Sequence, residues 1–271
     1  WPYFTEHLVL ATPDNGVATA IYAACKATVK VGDGKEITLH EETNYPFEEA
    51  IAFTVSTDEK VAFPFYLRIP SWTQKAEVWV NGKKVSVTPV AGKYLCINRE
   101  WANGDRVELT LPMSLSMRTW QVNKNSVSVD YGPLTLSLKI AEKYVEKDSR
   151  ETAIGDSKWQ KGADSKKWPT TEIYPDSPWN YSLVLDKKEP LKNFKVIRKS
   201  WPADNYPFTV ASVPLEVKAI GRPVPEWKID ETGLCGVLPE EDAVKGDKEE
   251  ITLIPMGAAR LRISAFPNTK E

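Results

Sequence analysis

The sequence has few of the residues on which many enzyme active sites and metal centres depend. Its 271 residues include three cysteines and two histidines. Cys25, Cys96 and Cys235 cannot all pair with one another, so no disulfide scaffold is expected. His7 and His40 leave little material for a histidine-based metal site or a histidine-activated nucleophile. No CxxC, HExxH, GxSxG, P-loop or GxGxxG pattern occurs. Composition alone therefore indicates no particular reaction and no particular type of site.

The sequence also lacks an excess of charge of one sign and long apolar runs. Lys and Arg number 35 and Asp and Glu 37, which gives a formal net charge of −2. No net basic field exists to hold a polyanion, so nucleic acid is not expected as a partner. No apolar run reaches about 18 residues, so no membrane-spanning helix is predicted.

What the sequence does contain is a series of short strand patterns separated by turns. From Val17 onward, apolar residues recur with a period of two or as β-branched runs, at roughly ten-residue spacing. Turn signals lie between them, namely Gly32-Asp33-Gly34, Asn81-Gly82 and Asn103-Gly104. No window shows a capped amphipathic helix. The pattern predicts an all-β chain of two consecutive antiparallel β-sandwich domains, of jelly-roll or Ig-like type.

The strand pattern predicts a domain junction close to Met113. We expect a first sandwich over residues 1–113 and a second over 114–271. The chain begins at Trp1, and residues 1–16 read as the end of something earlier, a linker from another domain. Residues 141–181 contain three tryptophans without a clear period, so they are predicted to form a long irregular insertion in the second sandwich.

The cysteines and carboxylates have ordinary structural interpretations. Cys25 and Cys96 lie among apolar residues and are predicted to be small core residues, whereas Cys235, in Gly-Leu-Cys-Gly, is a candidate exposed thiol. Adjacent acidic residues such as Glu41-Glu42 point to opposite faces of a strand, so they cannot form a catalytic carboxylate pair by themselves.

Ten tryptophans are the most distinctive feature of the composition. In the strand AEVWV, Val78 and Val80 share one face and Trp79 lies on the other. Outward indoles can stack on sugars, or they can be covered by a neighbouring domain or by the core. Both interpretations stay open for the candidate contact residues Trp72, Trp79, Trp101, Trp159, Trp168 and Trp179.

Several strings taken together resemble a known enzyme family. They are LHEETNYPF (39–47), PFYLRIPSW (64–72), VWVNGKKV (78–85), INREWANGDRVELTLPM (97–113), YGPLTLSL (131–138), SPWNYSLVLD (177–186) and LIPMGAARLRISAFP (253–267). Their order and types are similar to the C-terminal part of the family 127 glycoside hydrolases, whose type activity is β-L-arabinofuranosidase.

The resemblance implies two β-sandwiches that follow an (α/α)6 catalytic barrel. The family's catalytic cysteine, zinc-binding cysteines and glutamates lie in that barrel, so no catalytic, cofactor or metal residue is assigned to this chain. The expected function is a non-catalytic accessory region that braces the barrel in plant-polysaccharide breakdown. The alternative is a carbohydrate-binding module that uses exposed Trp and Tyr. The same context suggests a periplasmic or secreted protein.

Overall fold

The chain divides into two compact units whose regular secondary structure is almost entirely β-strand. The computed structural model describes residues 2–148, 164, 166–240 and 242–271. The first unit holds everything up to Leu115 together with Tyr131–Leu134, and the second holds Ser116–Asp130 and Thr135–Glu271. The prediction of an all-β fold is confirmed.

The division differs from the predicted boundary after residue 113 by one turn. Tyr131–Leu134 clusters with the first unit because Gly132 donates a backbone hydrogen bond to the carbonyl of Ser114 at 3.1 Å. A Cβ at Gly132, where φ is +55°, would lie 2.6 Å from the Met113 side chain. Glycine at this position therefore permits both the turn and the close approach.

The first unit consists of a four-stranded and a six-stranded sheet. Their strand orders are β1-β2-β6-β9 and β3-β4-β5-β10-β7-β8. A short helix, α1 (Pro2–Glu6), precedes the strands, which are β1 Val9–Ala11, β2 Val17–Thr19, β3 Cys25–Val31, β4 Lys35–Thr43, β5 Ala50–Ser56, β6 Val61–Arg68, β7 Glu77–Val80, β8 Lys83–Lys84, β9 Tyr94–Trp101 and β10 Arg106–Thr110. The segment 1–16, predicted as a linker, thus contributes strand β1, which pairs with β2.

Alternating burial along the strands builds the core between these sheets. In β5 and β6 every second side chain is buried, as the period-two pattern predicts. Phe53 of one sheet meets Phe65 of the other edge to face, with ring centroids 5.4 Å apart. The predicted turn at Asn81-Gly82 is present, with φ of +49° and +74° that suit a tight hairpin.

Most strands of the second unit belong to one eight-stranded sheet. Its order is β11-β12-β13-β19-β18-β16-β20, with β17 paired to β18. The strands are β11 Leu115–Trp120, β12 Ser126–Tyr131, β13 Leu134–Leu138, β14 Glu142–Lys147, β15 Thr170–Pro175, β16 Tyr181–Leu185, β17 Lys195–Arg198, β18 Leu215–Pro223, β19 Glu249–Pro255 and β20 Asn268–Lys270, with a 3-10 turn at Met256–Ala258. In both units the strands pair mainly antiparallel. The exceptions among the described residues are β2–β6 in the first unit and β16–β20 in the second, which are parallel.

Part of the segment predicted to be irregular, 141–181, is a regular hairpin. Strands β14 and β15 pair antiparallel over six residues each. Neither strand has a buried face, so the alternation that marks a strand in sequence is absent here. Residues 149–163 and 165, which include Trp159, lie outside the described part of the chain.

Candidate functional site

Trp79 lies on the outer face of the six-stranded sheet, as its sequence pattern predicts. Val78 and Val80 are buried in the core, and the indole between them is half-buried on the opposite face. The strand register places Trp79 opposite Glu108 of β10, and Glu108 opposite Ala52 of β5. Ala52 in turn is opposite Glu42 of β4. One row of side chains thus crosses four strands, from the indole to the Glu42 carboxylate.

This row belongs to a groove of about 580 Å³ on the sheet surface, which we call the Trp79 groove. Ala50 and Ala52 leave space in the middle of the sheet because their side chains are single methyl groups. The indole of Trp79 stands at one side of that space. Polar side chains complete the lining, and they are Glu42, Thr43, Asn44, Glu48, Arg106, Glu108 and Thr110.

The charges of the Trp79 groove are unbalanced towards the acidic side. Arg106 lies between two carboxylates, with its Nε 3.2 Å from Glu108 Oε1 and its Nη1 3.8 Å from Glu42 Oε2. With Glu48 there are three carboxylates against one guanidinium. Lys84 Nζ is 5.9 Å from the Trp79 ring centroid and pairs with Glu77 at 2.6 Å. The groove therefore offers an aromatic face and hydrogen-bonding groups, and its carboxylates disfavour an anionic ligand.

Two of the other predicted contact residues of the first unit belong to its core or its edge. Trp101 is fully buried: its ring stacks on Phe63 with centroids 5.6 Å apart, and its Nε1 donates to the Phe63 carbonyl at 3.0 Å. It cannot contact a glycan or another domain, which corrects that prediction. Trp72 is half-buried against the same core, beside Tyr45.

The predicted contact tryptophans of the second unit have different surroundings. Trp168 is exposed, with Lys167 Nζ 6.0 Å from its ring centroid. Trp179 is half-buried and packs edge to face on Trp227 at 5.1 Å between centroids. Trp159 lies outside the described residues.

The buried carboxyl group of Glu41 was not among the candidate residues predicted from the sequence. Glu41 and Glu42 point to opposite faces of β4, as predicted for adjacent strand residues: Glu42 lines the groove, and Glu41 is 1% exposed. Glu41 accepts hydrogen bonds from the Ala23 backbone N–H at 3.0 Å and from Cys25 Sγ at 3.8 Å. Its inward position could have been read from Ile37 and Leu39, which share its parity along the strand.

Burial governs the ionisation of this pair. It raises the pKa of Glu41 to about 8, although the two hydrogen bonds act in the opposite direction. Burial, with the Glu41 charge as a second cause, raises the pKa of the Cys25 thiol to about 11. A thiol so disposed is not a nucleophile at neutral pH. Among the residues that the structure describes, no group of three or more His, Cys, Asp or Glu side chains is arranged to hold a metal ion.

The groove-bearing unit has a recognisable relative. Residues 16–113 match the family model described as beta-L-arabinofuranosidase, GH127 middle domain. Residues 16–113, just over a third of the chain, are therefore similar to this domain. The sequence resemblance to the family 127 glycoside hydrolases is thereby confirmed.

Solved structures of family 127 share the fold well beyond the GH127 middle domain. A GH127 beta-L-arabinofuranosidase from Geobacillus stearothermophilus T6 is similar over 98% of this chain, with a TM-score of 0.63 and 20% identity. A structure described as a glycoside hydrolase and another described as a GH127 beta-arabinofuranosidase are each similar over 95% of this chain, with a TM-score of 0.60 and 23% identity.

The chain spans about a third of the length of these solved structures, 35% of the first and 36% of the other two. Identities this low establish a shared fold and no more. No match was found among the curated proteins. None of the helices in the described ranges is long and apolar enough to cross a membrane.

Proposed function

We propose that the chain is a non-catalytic accessory region of a family 127-like glycoside hydrolase. It covers and supports a helical (α/α)6 catalytic domain that acts on β-L-arabinofuranosides in plant-polysaccharide breakdown, in the periplasm or outside the cell. The match of residues 16–113 to the GH127 middle domain carries this proposal. Catalytic groups and any zinc belong, in this account, to the helical domain.

Exposed apolar side chains in the first unit support a covering role. Val87 and Val90, in the connection from β8 to β9, are 52% and 57% exposed, and Tyr94, the first residue of β9, is 49% exposed. Apolar groups exposed together on one loop are typical of a surface that another protein surface covers. They are candidates for the contact with the helical domain.

The first prediction is that the chain has no glycosidase activity of its own. Incubated with an aryl β-L-arabinofuranoside, with and without added zinc, it should release no aryl alcohol above the buffer rate. A family 127 β-L-arabinofuranosidase assayed in parallel is the positive control. Turnover that Glu41→Gln or Glu108→Gln abolishes would contradict the proposal, because it would place the reaction in this chain.

Carbohydrate binding in the Trp79 groove is the second candidate function. The specific observation in its favour is an outward indole beside a floor of two alanines, with carboxylates and a guanidinium within reach of sugar hydroxyls. Aromatic rings offer a flat apolar face to the C–H groups of a sugar, and the polar groups can pair with its hydroxyls.

For this second candidate we predict that Trp79→Ala reduces retention on arabinan in affinity electrophoresis. Loss of the ring contact is worth roughly 1.4 kcal/mol, about a tenfold weaker affinity. Trp168→Ala removes an exposed indole from the other unit and is the matched control, expected to migrate like the unchanged chain. Equal retention of the Trp79→Ala variant and the unchanged chain would remove the groove as a glycan site.

A further inference from the structure

Four half-exposed aromatic side chains lie on the second unit, and none of them is among the predicted contact residues. They are Trp120 (40% exposed), Phe208 (41%), Tyr206 (47%) and Tyr144 (56%). They come from three separate segments: the end of β11, the connection before β18, and β14. We call this set the aromatic strip.

Three of these rings lie near one short segment of chain, Met256–Gly257. Trp120 and Met256 line the same hollow of about 370 Å³. Met256 precedes Gly257, where an added Cβ would lie 4.0 Å from the Phe208 ring. Phe208 meets Tyr206 edge to face, with centroids 5.9 Å apart. Trp120 thus lies near one side of this segment, and the Phe208–Tyr206 pair lies near Gly257.

Arg260 interacts with both Tyr206 and Tyr144 at the far end of the strip. Its guanidinium interacts with both tyrosines, and the interaction with the Tyr206 hydroxyl is the main cause that raises the pKa of Arg260. Tyr144 donates its own hydroxyl proton to Glu142 Oε2 at 2.5 Å. The other oxygen, Oε1, accepts the Arg260 backbone N–H at 2.9 Å. The Tyr144 ring is thus held through Glu142, which also binds the backbone at Arg260.

Trp120 is held equally firmly at the near end. Its Nε1 donates to Ser128 Oγ at 2.9 Å. The guanidinium carbon of Arg118 lies 5.0 Å from its ring centroid, and Arg118 binds Asp130 in a bidentate manner at 2.6 and 2.9 Å. Rings fixed in this way lose little conformational entropy when a ligand stacks on them.

The polar groups of the strip indicate which kind of ligand it suits. Each end has one guanidinium and one carboxylate, so the four charges sum to zero. Arg118 binds Asp130 directly, whereas Glu142 accepts the Arg260 backbone N–H and acts on the Arg260 guanidinium through its charge. Because the centres of protein–protein interfaces contain few charged residues, these four charges make another protein a less suitable ligand. A surface that mixes fixed aromatic faces with balanced hydrogen-bonding groups fits a ligand that has apolar C–H faces and many hydroxyls.

We propose that the aromatic strip of the second unit binds an uncharged polysaccharide chain, with successive sugars stacked along Trp120, Phe208, Tyr206 and Tyr144. The proposal does not depend on the accessory role above, since it requires only the second unit. A bound polysaccharide would be held close to any hydrolase domain to which this protein is attached.

The hairpin β14–β15 supplies a matched pair of variants for the test. Tyr144 and Tyr174 are both exposed tyrosines whose hydroxyls bond a glutamate two residues earlier, Glu142 and Glu172 respectively. Tyr144 is opposite Ile173 and Tyr174 is opposite Lys143, so the two rings are on opposite faces. Tyr144→Ala changes the strip, and Tyr174→Ala makes the same chemical change away from it.

The experiment is affinity electrophoresis of the full chain and its variants in gels containing arabinan, arabinogalactan or polygalacturonate. We expect retention on at least one of the two neutral polysaccharides, about tenfold weaker for Tyr206→Ala or Tyr144→Ala and unchanged for Tyr174→Ala. Retention should persist in 0.5 M salt and be weaker on polygalacturonate. Thermal unfolding of each variant verifies that it is folded.

Three results would overturn the proposal: no retention on either neutral polysaccharide, equal weakening by Tyr174→Ala and Tyr144→Ala, or full retention by the Tyr206→Ala and Trp120→Ala variants. Retention lost only in Trp79→Ala would also overturn it and would assign binding to the groove of the first unit. Hydrolysis of the polysaccharide by the chain would contradict the accessory role and leave this proposal standing, so the two failures are distinguishable.

Discussion

Glu41→Gln is expected to remove most of the pH dependence of the stability of the first unit between about pH 4.5 and pH 8. In the unchanged chain, we expect the free energy of unfolding to fall over that window as pH rises. The total fall is roughly 4–5 kcal/mol, because the pKa of Glu41 rises from 4.5 to about 8 on folding and each pKa unit corresponds to about 1.36 kcal/mol.

The direction follows from which state binds the proton more tightly. A carboxyl whose pKa is raised in the folded protein holds its proton there after the unfolded chain has released it. The stabilisation is therefore complete below pH 4.5 and is lost as pH rises towards 8. Cys25, which bonds Glu41, and Tyr22, on which the Glu41 charge acts, have pKa values raised well above this window, so they stay neutral throughout it.

Glutamine tests this because it has nearly the shape of the protonated acid and cannot ionise. Its amide oxygen can accept the Ala23 N–H as Glu41 does. Urea unfolding at several pH values measures the effect, and Glu42→Gln, one residue away and facing outward, is the control that should keep the slope. A Glu41→Gln variant as pH-dependent as the unchanged chain would show that Glu41 is not the titrating group.

Trp101→Ala is expected to produce the largest loss of stability of any single tryptophan replacement in the first unit. The indole is completely buried between Phe63 and Phe65, at 5.6 and 5.9 Å between ring centroids. Truncation removes this packing, leaves a cavity, and takes the hydrogen-bond donor away from the Phe63 carbonyl. Such replacements cost about 3–5 kcal/mol.

Urea denaturation monitored by circular dichroism measures the loss for Trp101→Ala. The control is Trp79→Ala in the same unit, where the ring is half-exposed on the outer face and the cost should be within about 1 kcal/mol. Trp101→Phe should fall between them, since it keeps an aromatic ring and loses the N–H donor. Equal losses for the two alanine variants would contradict the assignment of Trp101 to the core.

The local regularity of the first unit is what the sequence predicts best. Alternation along β5 and β6, the turn at Asn81-Gly82 and the outward indole of Trp79 all follow from side-chain periodicity and backbone sterics. These features depend on residues within about ten positions of each other, so they can be read without knowledge of the tertiary fold.

Features that depend on distant partners could not be read in the same way. Trp101 stands beside the turn signal Asn103-Gly104, and its burial requires Phe63 and Phe65, which lie some forty residues earlier. Strand β20 is three residues long and exists through its parallel pairing with β16.

The candidate sites show the same limit. Trp79 was recognisable because apolar and polar side chains alternate along its strand. The aromatic strip, by contrast, joins rings from positions 120 to 208, and Met256 and Arg260 lie near them. No sequence period connects these residues. Only the pairing of strands in the second unit brings them to one surface.

The most direct test of the central claim, that this chain holds glycans and does not cleave them, is to recover the bound ligand. Neutral arabino-oligosaccharides of defined length should be loaded onto the immobilised chain with zinc present, eluted and analysed by mass spectrometry. The account predicts oligosaccharides that are retained and eluted at their original length. Shortened products, formed by the unchanged chain and absent when it is heat-inactivated, would contradict it.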